Sequence, residues 1–156
     1  MVSSSTYISD TVLFIRDFLD SNITDPIEKK RGKDRFVKTS YPQEKVQYPI
    51  ITVRSAGGND LKRMGMQSEL MWTQIPIEVR IWARNEKERN ELTEQVHNAL
   101  RSNQFGGGDA SVDDQDIHDF RVLSTVSVDE TGVTGIKSSV MECQYMIVLG
   151  QSQKKR

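Results

Sequence analysis

The strongest constraint on the fold is a long alternation of side-chain types over residues 69–83. One set of alternate positions is apolar or small: Met71, Thr73, Ile75, Ile77, Val79, Ile81 and Ala83. The opposite set contains Trp72, Gln74, Glu78, Arg80 and Trp82. A period of two places successive side chains on opposite faces of a β-strand and does not fit a helix. Because most strands are only about 5–6 residues long, we expect this one to extend beyond its sheet as a hairpin arm or to bend at a bulge.

Two other segments have the apolar spacing of amphipathic helices. In residues 6–21 the apolar positions are Ile8, Val12, Ile15 and Leu19, with Phe14 and Phe18 beside them. The second helix follows the long strand, from Asn85 to Arg101, and Asn85 with Glu88 forms a capping-box pattern at its start. Its narrow apolar stripe consists of Leu92, Val96, Ala99 and Leu100.

Shorter patterns predict the remaining strands. Residues 36–40 and 48–53 each favour a strand, and residues 26–35 between the first helix and these strands read as a charged loop. Residues 119–128 alternate with Phe120, Val122, Val126 and Val128 inward, and residues 136–149 alternate with Met141, Cys143, Tyr145, Ile147 and Leu149 on one face. These last two strands flank a turn at 129–135 and are expected to pair as a hairpin.

The order of elements predicts an α+β fold: a single, mainly antiparallel β-sheet with both helices packed on one face, plus the long strand or hairpin arm. At 156 residues the chain fits one domain, which we place at 1–150, followed by a polar tail at 151–156. The net charge of −1 gives no global attraction to nucleic acid or to an anionic membrane. A single cysteine and the absence of a long apolar run indicate synthesis in the reducing cytoplasm, without a membrane span.

The residues that usually carry chemistry are scattered. His97 and His118 have no metal-ligand spacing around them, and Cys143 falls on the inward face of a strand. The aspartates of 109–116 lack the alternate spacing and central glycine of a calcium loop, and Gly106–Gly108 follows a helix rather than preceding one. We therefore expect no catalytic residue, metal site or cofactor, and do not expect an enzyme.

Charge is segregated along the chain. The stretch 28–38 contains six Lys and Arg against two acids, whereas 102–120 contains five Asp and neither Lys nor Arg. Two ordinary solvated loops are the simplest interpretation. A basic stretch of this kind also has some affinity for DNA phosphates. Alternatively, the two stretches face each other across the subunits of a ring, because a head-to-tail interface needs two different complementary patches. The candidate inter-subunit contacts are then Lys29, Lys30, Arg31, Lys33, Arg35, Asp109, Asp113, Asp114 and Asp116.

The same order of elements resembles the tail-terminator and tail-completion (head–tail joining) proteins of tailed bacteriophages. The resemblance lies in the helix Tyr7–Leu19, the strand Tyr48–Arg54, the long strand Trp72–Trp82 with the helix after it, and the strand pair at 119–149. It covers nearly the whole chain. The family has no chemical signature, which agrees with the absence of a recognisable catalytic pattern.

The resemblance implies a virion protein, assembled in the host cytoplasm, that forms a homo-oligomeric ring, commonly a hexamer. Such a ring caps the tail tube, stops its polymerisation and joins it to the neck or head-completion protein, while DNA passes through without sequence-specific binding. Residues 56–70 and the long strand would lend surface to neighbouring subunits, with Met64, Met66 and Trp72 as further candidate contacts. Another head–tail connector, such as a neck or head-completion protein, or a non-viral protein- or nucleic-acid-binding module, fits the same pattern.

Overall fold

The computed structural model describes residues 7–57, 62–63, 71–101, 117–129 and 135–149. The helices are α1 (Tyr7–Asn22), α2 (Glu28–Arg31) and α3 (Glu86–Arg101). The strands are β1 (Val37–Lys38), β2 (Ile50–Ser55), β3 (Lys62–Arg63), β4 (Met71–Ala83), β5 (Ile117–Asp129) and β6 (Lys137–Leu149). The predicted α+β class is confirmed. The short helix α2 falls in a stretch for which the sequence predicted a loop.

The six strands of the described ranges belong to one sheet. Its order is β1-β2-β4-β6-β5, and β3 pairs with one end of β4. The pairs β2–β4, β3–β4, β4–β6 and β5–β6 are antiparallel, while β1 runs parallel to β2. The predicted single, mainly antiparallel sheet is therefore confirmed, and the predicted hairpin of the last two strands is present as β5 and β6.

The long strand β4 is the centre of this sheet. All thirteen of its residues pair with β6, from Met71 opposite Leu149 to Ala83 opposite Lys137. On its other side, β2 pairs with Ile77–Trp82, and β3 pairs with Met71 and Trp72. The expected arm beyond the sheet is not confirmed, because β6 is equally long and accompanies β4 along its whole length.

One face of the sheet, the inner face, carries the core. Alternate residues of β4 and β6 are buried there, among them Ile75, Ile77, Val79, Met141 and Cys143. Helix α1 contacts β1 and β2, α3 contacts β4, β5 and β6, and the two helices touch each other. The buried stripe residues of both helices join the same core cluster: Val12, Ile15, Leu19, Leu92, Val96 and Leu100. The side chains between these positions define the opposite, outer face.

Strand β5 departs from its predicted alternation. Val122 lies opposite Cys143, but the next pair is Ser124 with Glu142, so that Leu123 is an extra residue at a β-bulge. A bulge shifts the later residues by one position and therefore exchanges their faces. Val126 consequently lies opposite Val140 in the outer-face register and is 55% exposed. The prediction that Val126 and Val128 point inward is wrong for this reason, whereas Phe120 is buried as predicted.

The start of α3 uses the predicted capping residues with one difference. The Asn85 side chain accepts a hydrogen bond from the Glu88 backbone N–H at 2.9 Å. The Glu88 carboxylate turns back to the backbone N–H and guanidinium of Arg84, not to the Asn85 N–H of a standard capping box. Burial opposes ionisation of Glu88, but these bonds outweigh it and hold the pKa of Glu88 below its ordinary value of 4.5.

A matched pair of leucines tests the assignment of faces. Leu92 of α3 is buried, whereas Leu123 at the β5 bulge is 57% exposed. We expect Leu92→Ala to lower the free energy of unfolding by about 2–5 kcal/mol through lost burial and cavity formation. Leu123→Ala should change it by less than about 0.5 kcal/mol. Urea unfolding of both variants provides the measurement, and equal costs would contradict the assignment.

The α3 cap predicts a pH dependence. Because the folded state lowers the pKa of Glu88, the pair with Arg84 stabilises the protein above pH 4.5, and this contribution is lost as the pH falls through the lowered pKa. In urea unfolding from pH 7 to pH 3, Glu88→Gln should reduce the acid loss of stability. Glu91→Gln serves as the control, since Glu91 is exposed and its partner among the described residues is Lys87 at 3.8 Å. An acid profile of Glu88→Gln identical to that of the wild type would refute this role.

Candidate subunit interface

The structure gives the position of the residues considered for chemistry. His97 is half-buried on α3, and Cys143 is buried on the inner face of β6. Burial raises the pKa of the Cys143 thiol to about 12, so that this side chain stays protonated at neutral pH. His118 is a residue of β5, of which only the backbone is described. Within the described ranges, no three His, Cys, Asp or Glu side chains are arranged to hold a metal ion.

The remaining functional candidates are surfaces. No helix in the described part of the chain has both the length and the apolar character needed to cross a membrane. Three surfaces stand out: the basic stretch around α2, the outer face of the sheet, and the free edge of β5.

Arg31, in the basic stretch, is an internal residue. Its guanidinium donates to both carboxylate oxygens of Asp25, with the Nη2–Oδ1 bond at 3.1 Å, and to the Gln47 carbonyl oxygen at 2.8 Å. It also donates to the carbonyl of Pro49, and the residue is only 5% exposed. This burial and internal pairing weigh against the predicted contact of Arg31 with a neighbouring subunit, because its guanidinium instead holds α2 to the segment that leads into β2.

Two more cations of this stretch have partners within the chain. The Arg35 guanidinium lies 3.0 Å from a carboxylate oxygen of Asp17 in α1, and the Lys38 ammonium lies 2.8 Å from Asp34. The hydrogen bond from Lys38 holds the pKa of Asp34 below its ordinary value. Asp17 and Asp25 lie outside the stretch in sequence, so that counting charges along the chain overstated its positive character.

Three lysines remain, and we call them the lysine corner: Lys29, Lys30 and Lys33. All three are exposed, and none has an ion-pair partner among the described residues. Their sequence neighbours Glu28 and Asp34 line a cleft of about 350 Å³, together with Asp20. These neighbouring carboxylates keep the local net charge small. The geometry is therefore better suited to a few specific carboxylate partners than to the uniform charge of a nucleic-acid backbone.

The outer face carries a charged row that crosses four strands. Arg54 of β2 donates to both oxygens of Glu78 at 3.1 and 3.0 Å, and Ser124 of β5 lies 3.2 Å from Glu142. Glu78 and Glu142 are direct cross-strand neighbours, an arrangement that is destabilising unless other groups compensate. Arg54 and Ser124 supply that compensation from the two sides.

One end of the outer face is covered from within the chain. Tyr41 lies against Trp82, with ring centroids 4.8 Å apart and a 57° angle between the planes. The Trp82 indole N–H also lies 3.4 Å from the Thr52 hydroxyl. The segment between β1 and β2 thus shields the β2–β4 side of this face, whereas the β5 side carries Leu123 and Val126, which are 57% and 55% exposed.

The β5 edge combines exposure with an absence of charge. β5 is the last strand in the order of the sheet. Its sequence from Val122 to Val128 contains no charged residue and no proline. Sequence analysis missed this surface because strict alternation placed Val126 inside. The signal that was available is the uncharged run itself.

The structure describes the other candidate contact residues only in part. Trp72 is a residue of β4, opposite Val148 on one side and Lys62 on the other, and the description extends to its backbone only. Met64, Met66, Asp109, Asp113, Asp114 and Asp116 lie outside the described residues. The pairing of these aspartates with the basic stretch stays a prediction.

No family model matches the chain, and a search of curated proteins finds no match.

Two aspartates test the internal role of Arg31. Asp25→Ala leaves the buried guanidinium without its carboxylate and should lower the free energy of unfolding by about 3–5 kcal/mol. Asp17→Ala removes an exposed partner of Arg16 and Arg35 and should cost about 0–1 kcal/mol. Denaturant unfolding at neutral pH measures both. A cost of Asp25→Ala no larger than that of Asp17→Ala would show that Arg31 does not anchor this region.

Proposed function

We propose that this protein is a ring-forming tail terminator of a tailed bacteriophage. In this role it ends polymerisation of the tail tube and joins the tail to the neck and head. The order of elements that resembles this family supports the proposal. So does the sheet, whose inner face carries the core and whose outer face exposes Leu123 and Val126 on the β5 side.

The observation that carries the proposal is the lysine corner. A closed ring is built from heterologous contacts, in which two different patches of each subunit meet. Ion pairs within the chain occupy the charges of Arg31, Arg35 and Lys38. The remaining cations of the basic stretch, Lys29, Lys30 and Lys33, face solvent. The complementary patch is the aspartate-rich sequence 109–116 of the next subunit, which contains no basic residue. Charge-assisted hydrogen bonds between the two would fix the orientation of adjacent subunits.

The partners follow from this role. Each subunit binds two further copies of itself, and the ring binds the tail-tube protein on one side and a neck or head-completion protein on the other. DNA passes through the ring without sequence-specific contacts. The small net charge around the lysine corner suits this, because a strongly basic lining would retain the phosphate backbone. The protein would reside in the virion after assembly in the host cytoplasm.

A double charge reversal tests the ring contact. Lys29→Glu together with Lys30→Glu should weaken assembly at least tenfold at low ionic strength, because attraction to the neighbouring aspartates becomes repulsion. Lys45→Glu together with Lys87→Glu changes the net charge equally at exposed positions elsewhere and should leave assembly intact. Light scattering across a range of protein and salt concentrations gives the mass, and added salt should weaken wild-type assembly by screening.

Two outcomes would oppose the proposal. If the corner variant has the same mass and the same salt dependence as the wild type, the lysines do not form a subunit contact. If the wild type stays monomeric and binds DNA with a salt-dependent affinity that the corner variant loses, the alternative of a nucleic-acid-binding module is favoured. Fluorescence anisotropy with a short duplex measures that affinity.

A further inference from the structure

Among the described residues β5 is an edge strand, and part of it lacks the features that usually prevent strands from pairing between molecules. Edge strands are commonly blunted by a charged side chain, a proline or a bulge. The pairing of β5 with β6 shifts register between His118 and Arg121 and again at Leu123, and it is regular from Ser124 to Asp129. The segment Ser124–Val128, which we call the β5 edge segment, contains neither charge nor proline.

Both faces of the β5 edge segment are accessible. Val126 lies in the outer-face register opposite Val140, and Thr125 and Ser127 lie in the inner-face register opposite Met141 and Ser139. All three are exposed, so that the helices do not cover this part of the strand. No described strand pairs with this edge, and a strand that added to it would meet small uncharged side chains on both faces.

We propose that the β5 edge segment binds the same segment of a second copy of this chain, as an antiparallel pair about a two-fold axis at Val126. In this register Val126 faces its own counterpart, Thr125 faces Ser127, and Ser124 faces Val128. Residues directly opposite each other in an antiparallel pair lie on the same face. The two Val126 side chains therefore meet on the outer face and the hydroxyls of Thr125 and Ser127 meet on the inner face, whereas a slip by one residue would place valine opposite hydroxyl.

Because the β5 edge segment is self-complementary, its proposed partner is the same segment of a second copy. No like charges are brought together, valine packs on valine across the axis, and the hydroxyls of Thr125 and Ser127 are within reach of each other as a cross-strand pair. The bulge at Leu123 and the charge of Asp129 limit the regular pairing at its two ends. An isologous contact of this kind uses up both edges and gives a dimer, not an open polymer.

This contact is independent of the proposed ring. The lysine corner forms heterologous contacts that salt weakens, whereas strand pairing between uncharged segments is insensitive to salt. The two contacts lie on different surfaces, so that evidence against one contact does not count against the other. High ionic strength is therefore the condition that isolates the β5 contact.

Sedimentation velocity in 0.5 M salt, over a series of protein concentrations, tests the pairing. The wild type should sediment as a dimer that dissociates on dilution. Val126→Lys places two like charges at the axis and should raise the dissociation constant at least tenfold. Leu13→Lys, at an exposed leucine of α1, is the matched control and should leave the dimer intact. A wild type with the mass of one chain at every concentration would overturn the proposal.

A cross-link gives a second measurement that does not depend on weakening the contact. Directly opposite Cα atoms in an antiparallel pair are about 4.5–5.5 Å apart, within the range of about 4.4–6.8 Å that a disulfide spans. Val126→Cys should therefore form a disulfide-linked dimer on mild oxidation, seen on a non-reducing gel. The native Cys143 is buried and does not compete. Cross-linking of Val126→Cys no faster than that of Leu13→Cys would contradict the register.

Discussion

The ladder between β4 and β6 is the interaction on which the rest of the structure depends. Thirteen consecutive residue pairs fix which side chains of both strands share a face, and a slip of one position would expose the whole core. With that register set, the inner-face residues of β4 and β6 form a continuous apolar surface for α1 and α3. The length of the ladder also explains why β4, despite its thirteen residues, does not protrude as an arm.

Sequence reasoning succeeded where a periodic pattern coincides with a regular element. The alternation of β4 and β6 and the apolar stripes of α1 and α3 predicted the class, the antiparallel sheet and most of the core. It failed in β5 because the bulge at Leu123 changes the phase of alternation, and a bulge has no periodic signal. It also missed the role of Arg31, because the partners Asp25 and the Pro49 carbonyl are brought together only by the fold.

The charges of the candidate interface also could not be predicted from the sequence, because some of their partners come from outside the basic stretch. Along the sequence, residues 28–38 are strongly basic, but α1 and the loop before α2 supply Asp17 and Asp25 to that region. Ion pairs formed by the fold reduce the basic stretch to the lysine corner. The order of the sheet and the bulge in β5 expose a second surface that the sequence did not predict, the β5 edge segment. We therefore propose two kinds of contact: an ionic one with a head-to-tail neighbour and a backbone-mediated one with a two-fold neighbour.

The central claim is that this chain works as a subunit of a closed assembly. Native mass spectrometry of the wild type at low ionic strength, over a range of protein concentrations, tests it most directly. We predict a closed oligomer with one fixed number of subunits at low ionic strength, which dissociates as salt is added. A single-chain mass at every concentration, or an unlimited series of sizes without a preferred number, would contradict it.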